Sequence, residues 1–234
     1  VLPRAEAIPD IVTAGGQRVG VRWPSHPFIQ EVLRRSGLPL AAPSANPANR
    51  LSPTNAEHVL RYFGQSIPLI VDGGQSQVGI ESTVLDLTQR PPRLLRPGMV
   101  HQEALLAVTG QLALGPGQAG AVLKSPGLLR KHYSPRARLV LLEWRDEAQL
   151  RAQSVSFGVP TSKIHVIAHS QIPAGGGFAR VSVIPHDPEA FARAIYAELH
   201  ECDQAGAGLI LVEALPKSSE WRALADRLQR AAAD

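Results

Sequence analysis

Cysteine is almost absent. Cys202 is the only one in 234 residues, so neither an internal disulfide framework nor a multi-cysteine zinc site can be built. Aromatic residues make up 5% of the chain, too few for a surface of stacking rings. No run approaches the ~18 consecutive apolar residues of a membrane span, and no stretch resembles a signal peptide. The lone thiol and the missing span predict a cytoplasmic protein with no membrane partner. Lysine is scarce: Lys124, Lys131, Lys163 and Lys217 are the only four among 24 basic residues, so arginine carries nearly all the positive charge. Arginine suits planar, bidentate contacts to phosphate and carboxylate. The formal charge of +4 tolerates acidic partners without demonstrating one. The only methionine is Met99 and the chain opens Val1-Leu2-Pro3, which predicts a fragment lacking an N-terminal portion.

Several catalytic patterns are missing too. The eight histidines contain no His-x-x-x-His pair beside a third ligand, so no protein-held metal is expected. There is no Gly-x-x-x-x-Gly-Lys-Ser/Thr loop and no Gly-x-Ser-x-Gly elbow. Gly175-Gly176-Gly177 follows no clear strand and lacks the dinucleotide fingerprint. Cys202 has only His200 as a basic neighbour and reads as inert.

With 44% apolar residues the chain can bury a core. Residues 1–111 read as mixed α/β. A β-type run at Val19–Arg22 ends in Trp23-Pro24, and Ser25 is the expected cap of a helix carrying Ile29, Val32 and Leu33 and closed by Gly37. Strands are expected near 38–42, at 68–71, at 82–87 and at Leu94-Leu95. A helix starting at Ser52-Pro53-Thr54 should turn Val59, Leu60 and Phe63 inward. Residues 112–137 are Gly/Pro-rich without a period, the composition of a linker. From 138 to 234 strands at 139–142, 164–168, 181–184 and 209–212 alternate with helices. One helix is announced by Asp187-Pro188, and the last carries Trp221, Leu224 and Leu228 on one face. That alternation predicts a small parallel sheet covered by helices.

The chemistry-bearing segment is Pro43-Ser44-Ala45-Asn46-Pro47 followed by Ser52-Pro53-Thr54. Hydroxyl and amide side chains ahead of a helix start suit phosphate or carboxylate oxygens. By spacing alone, the reading of these residues as turn formers and N-caps is the stronger. Arg22 and Arg96 each close a strand, and each fits either a carboxylate clamp or an ordinary solvated strand end.

Taken in order, Val19-Gly20-Val21-Arg22-Trp23-Pro24, Pro43–Pro47, Ser52-Pro53-Thr54, Gly79-Ile80-Glu81-Ser82-Thr83-Val84 and Leu95-Arg96-Pro97-Gly98 resemble the Sua5/YrdC family of threonylcarbamoyl-AMP synthases. Ser125-Pro126-Gly127 with Lys131-His132-Tyr133-Ser134-Pro135 resembles the family's linker. The resemblance implies an α/β chain: the latter part of a YrdC-type twisted mixed sheet with helices at 1–111, a linker or lid at 112–137, and a small Rossmann-like parallel α/β Sua5 domain at 138–234.

It also implies a reaction. L-threonine, bicarbonate and ATP, with Mg2+, would give threonylcarbamoyl-adenylate and pyrophosphate, and the product would pass to the machinery that makes N6-threonylcarbamoyladenosine in tRNA. By similarity Arg22, Ser44 and Ser82 hold threonine. Asn46, Thr54, Arg96, His132, Tyr133 and Arg18 contact ATP, and no protein nucleophile is needed. The family's N-terminal Lys-x-Arg motif has no match in these residues, so this polypeptide alone is expected to show little or no synthase activity; robust pyrophosphate release from it would refute that. Two other readings stand beside this one. A non-catalytic RNA-binding module would show steep salt dependence for tRNA and none for ATP. Carbamoyl transfer would call for accessory modules other than the Sua5-type linker and C-terminal domain.

Overall fold

The strongest apolar runs of the sequence become one parallel sheet. The structure, a computed structural model, describes residues 1–115, 133–174 and 176–233. Its chain divides into two compact units, Val1–Ser44 with Ser82–Leu123, and Ala45–Glu81 with Lys124–Asp234. The expected boundaries at 111 and 137 differ from this division, because residues 45–81 fold with the C-terminal part of the chain.

In the second unit β6 (Arg138–Leu142), β7 (Ile164–Ala168), β8 (Arg180–Val183) and β9 (Leu209–Glu213) form a four-stranded sheet in the order β6-β9-β7-β8, every pair parallel. Every residue of β7 and β9 is buried, as expected of strands covered on both faces. Ile164, Val166, Ala168, Leu209 and Leu211 share a cluster with Trp144 and with Leu150 of α5 (Glu147–Val155). The pleat turns Ile167, Ile210 and Val212 to the other face. The crossover through α5 runs from β6 towards β8, and that through α6 (Pro188–Gln204) runs back the other way, so right-handed connections put the two helices on opposite faces. Asp187 caps α6 by accepting from the Ala190 N–H, with Pro188 at its first position, as the sequence predicts. The last helix, α7 (Arg222–Ala231), buries Leu224 and Leu228 beside Trp221.

The same unit carries α3 (Ala56–Phe63), which starts later than expected because Asn55, accepting from the His58 N–H, is the cap. Its buried residue is His58, and Leu60 is exposed. The expected inward face was read from apolarity, whereas the imidazole is satisfied inside: Nδ1 accepts from the Thr54 N–H at 3.2 Å. In the first unit β1 (Leu2–Pro3) pairs antiparallel with β2 (Arg18–Val19), the short helix α1 (Asp10–Thr13) lying between them in sequence. There β3 (Val84–Asp86) pairs antiparallel with β4 (Arg93–Arg96), and β5 (Ala113–Leu114), which follows helix α4 (Gln102–Thr109), lies parallel to β4. Helix α2 (Pro27–Ser36) is capped by His26 rather than Ser25 and closes at Gly37 in the left-handed conformation. Residues 38–42 and 68–71 are not strands. Leu38, Leu40, Leu69 and Val71 are exposed there, and an extended run becomes a strand only when a neighbour completes its ladder.

Candidate functional site

In the first unit the hairpin of β3 and β4 brings Arg96 to Ser82. Arg96 is buried, and its Nε donates to the Ser82 carbonyl at 3.0 Å and its Nη2 to the Ser82 hydroxyl at 3.4 Å. The Leu95–Gly98 turn holds that geometry. A Cβ on Gly98 would come 2.3 Å from the Thr83 nitrogen, so only glycine lets the turn approach the strand this closely. Arg18, on β2, pairs with the buried Asp86 at 3.4 Å. The Asp86 carboxyl is pushed up by burial, but donors from Thr88 and Gln89 and the Arg18 charge outweigh that and hold it below its ordinary value. Arg22 and Ser44 are exposed, and neither hydrogen-bonds to another described residue. The structure therefore joins Arg96 with Ser82, gives Arg18 to Asp86, and leaves Arg22 and Ser44 open to solvent.

In the second unit Asn46 turns its amide Nδ2 onto the carbonyls of Pro47 and Arg50, at 3.2 and 2.9 Å. Its Oδ1 is buried without a partner among the described residues, as is Ser134 Oγ. An acceptor or a hydroxyl buried without a partner is costly, and Gln153 Oε1 and His165 Nδ1 share that state elsewhere in the same unit. Thr54 is 1% exposed and engaged with His58, Oγ1 lying 3.3 Å from Nδ1. Tyr133 is buried at positive φ, its ring stacked on Tyr196 at 6.1 Å. His132 lies outside the described residues.

One cluster escaped the sequence reading. Glu81, inside the Gly79–Val84 motif, accepts from Ser52 Oγ at 2.6 Å, Tyr196 OH at 3.1 Å and Arg227 Nε at 3.0 Å. Arg227, on α7, is fully buried, reaches Asp226 at 2.8 Å, and lies 5.9 Å from the centre of the Tyr133 ring. Burial disfavours its charge, yet Glu81, Tyr196 and Asp226 raise its affinity for the proton above the ordinary value. Burial, helped by Glu81, pushes the Tyr196 phenol well up. Gly79 closes the same wall: its N–H donates to the Ala192 carbonyl of α6 at 3.1 Å. No periodicity links Glu81 to Arg227; the sole sequence signal was the motif that contains Glu81. Among the described residues no three His, Cys, Asp or Glu side chains are grouped to hold a metal ion.

Residues 1–98 match a family described as "Telomere recombination" (Sua5, YciO and YrdC proteins), and residues 100–233 match the threonylcarbamoyl-AMP synthase C-terminal domain. The threonylcarbamoyl-AMP synthase of Pyrococcus abyssi is 34% identical across 99% of this chain and 68% of its own length. That of Bacillus subtilis gives the same three figures. The crystal structure of Pyrococcus abyssi Sua5 complexed with L-threonine superimposes with a TM-score of 0.84 at 32% identity, over 99% of this chain and 68% of that one. With identity of this order running through both matched domains, the chain belongs to the Sua5/YrdC family of threonylcarbamoyl-AMP synthases.

Proposed function

We propose that the gene product containing this chain condenses L-threonine, bicarbonate and ATP into threonylcarbamoyl-adenylate, for threonylcarbamoylation of adenosine in tRNA. The observation that carries this reading is the match, over nearly the whole chain, to a relative whose crystal structure holds L-threonine. The threonine amine adds to bicarbonate with loss of water, and a carbamate oxygen then displaces pyrophosphate from the ATP α-phosphorus. Neither step uses a protein nucleophile. The protein's work is to position reactants, offset phosphate charge and keep water from a labile carbamate. Magnesium enters with ATP as part of the substrate. Arg96, steered by Ser82, is the phosphate cation of this reading. Ser82 with Arg22 and Ser44 takes the amino acid. Asn46 offers its unpaired Oδ1 to the nucleotide. Arg18, Thr54, His132 and Tyr133 complete the ATP contacts. Thr54, whose N–H and hydroxyl face His58 and whose carbonyl accepts from the Ser76 N–H, serves that site by fixing the chain ahead of α3.

The test is pyrophosphate release by the whole gene product, omitting each substrate in turn. Release should require L-threonine, bicarbonate and ATP together. Arg96→Lys, which keeps a charge but loses the fork that grips Ser82, should lower kcat/KM by roughly 100–1000-fold, the range for losing one oriented stabilising donor. Pyrophosphate release indifferent to L-threonine refutes the reading.

A further inference from the structure

The carboxyl edge of the parallel sheet, where open α/β folds gather ligand-binding side chains, carries a group the synthase chemistry does not use. His169 and Ser170 follow β7, His186 follows β8 just before the cap of α6, and Glu213 ends β9. His169 Nδ1 lies 2.9 Å from Ser170 Oγ and 2.8 Å from His186 Nδ1, and Ser170 Oγ lies 2.8 Å from His186 Nδ1. Three polar atoms thus meet at mutual hydrogen-bond distance. Their protons do not suffice for three bonds. His169 Nε2 is 3.2 Å from the Ala214 carbonyl, which can only accept, so in the neutral ring Nδ1 is bare. With both rings neutral, Ser170 supplies one proton and His186 Nδ1 at most one, so the third contact is filled only by a further proton or by a cation.

We propose that His169 Nδ1, Ser170 Oγ and His186 Nδ1 bind a late first-row divalent cation of the zinc class. A cation uses the three lone pairs that too few protons leave in conflict. At an imidazole–metal bond of about 2.0–2.1 Å, donors 2.8–2.9 Å apart subtend roughly 85–90°, the adjacent angles of a six-coordinate ion rather than the wider tetrahedral angle of a four-coordinate one. The Ala214 carbonyl fixes the His169 tautomer and ring orientation, as outer partners of metal-bound histidines do. Glu213 accepts from the backbone N–H groups of His169, Ser170 and Gln171 at 2.7, 2.8 and 3.0 Å, which holds the loop still and sets a negative charge behind it. Trp221 walls the site, its ring centre 5.6 and 5.3 Å from the two imidazoles. With two imidazoles and a neutral hydroxyl, the trio falls short of a centre built wholly from His, Cys, Asp or Glu. Imidazole selects zinc-class ions over Mg2+, and exposed His186 leaves the remaining positions to water or an anion.

Zinc titrated into the purified chain against a chromophoric chelator tests this, with Co2+ as the spectroscopic probe. One equivalent should bind, and Co2+ should show d–d absorption. His186→Ala, a change at an exposed position, should weaken zinc binding at least tenfold, Ser170→Ala should weaken it in the same direction, and exposed His26→Ala should leave it unchanged. Circular dichroism checks that each variant folds. A chain that takes up no stoichiometric zinc, or a His186→Ala loss smaller than tenfold, overturns the proposal. The readout is metal binding alone, so either result leaves the synthase reading standing or falling on its own test.

Discussion

Cutting the Glu81–Arg227 pair from its two ends should have unequal costs. Removing one member of a buried ion pair usually costs about 3–5 kcal/mol, because the survivor is left charged away from water. Arg227→Met leaves the Glu81 carboxylate with the Ser52 and Tyr196 hydroxyls and with a side chain 15% exposed, which places its cost near about 3 kcal/mol. Glu81→Ala leaves a guanidinium with 0% side-chain exposure that keeps its bond to Asp226, which places its cost nearer about 5 kcal/mol. Domain stabilities run at roughly 5–15 kcal/mol, so either loss is a large part of the whole. Urea unfolding followed by tryptophan fluorescence, reported by Trp144 and Trp221 in the same unit, gives both numbers. The double variant should cost less than the sum of the two by more than about 1 kcal/mol. Losses below about 1 kcal/mol for each single variant, or a greater cost for Arg227→Met, would refute the reasoning.

Acid should loosen the second unit through His58. Burial chiefly, with the His200 and Arg61 charges adding and Glu57 opposing, draws its pKa from 6.5 to about 4. The unfolded ring therefore takes up a proton that the folded ring refuses, and stability should fall by up to about 3 kcal/mol as pH drops from 6.5 towards 4. In urea melts at successive pH values His58→Gln should flatten that slope, and an unchanged slope would sink the idea. Gly79→Ala would set a Cβ 2.5 Å from the Ala192 carbonyl and 2.7 Å from that of Arg193, both backbone atoms, and should lower stability by about 1–3 kcal/mol or more in the same melts. Cys202 sits inside α6 with its thiol pushed up to about 12, mainly by burial, so a thiol reagent should label it only after unfolding; rapid labelling of the native chain contradicts the burial.

The parallel sheet could be read from the sequence because strands buried on both faces leave unbroken apolar runs; 164–168 matches β7 residue for residue. Asp187-Pro188 was equally plain, since cap and proline act locally. Expectation failed where a partner lies far along the chain. Residues 38–42 and 68–71 have the composition of strands, but composition does not say whether a neighbour will complete the ladder. Apolarity points Leu60 inward where His58 goes in, because an apolar pattern does not register an imidazole satisfied by a backbone N–H four residues earlier. Of the candidate site, the Arg96–Ser82 pair spans 14 residues of one hairpin and follows from adjacent strands. Glu81 and Arg227, 146 residues apart, meet only when the chain is folded.

The seam between the two family matches falls at residues 98–100, whereas residues 45–81 pack with the C-terminal part of the chain. The stretches that the two families share and the stretches that pack together are therefore different pieces of this molecule. A gene cut between the two matches would strip Leu51, Ser52, His58, Ile80 and Glu81 from the body that encloses them, and would bare a buried guanidinium on the piece it meant to free.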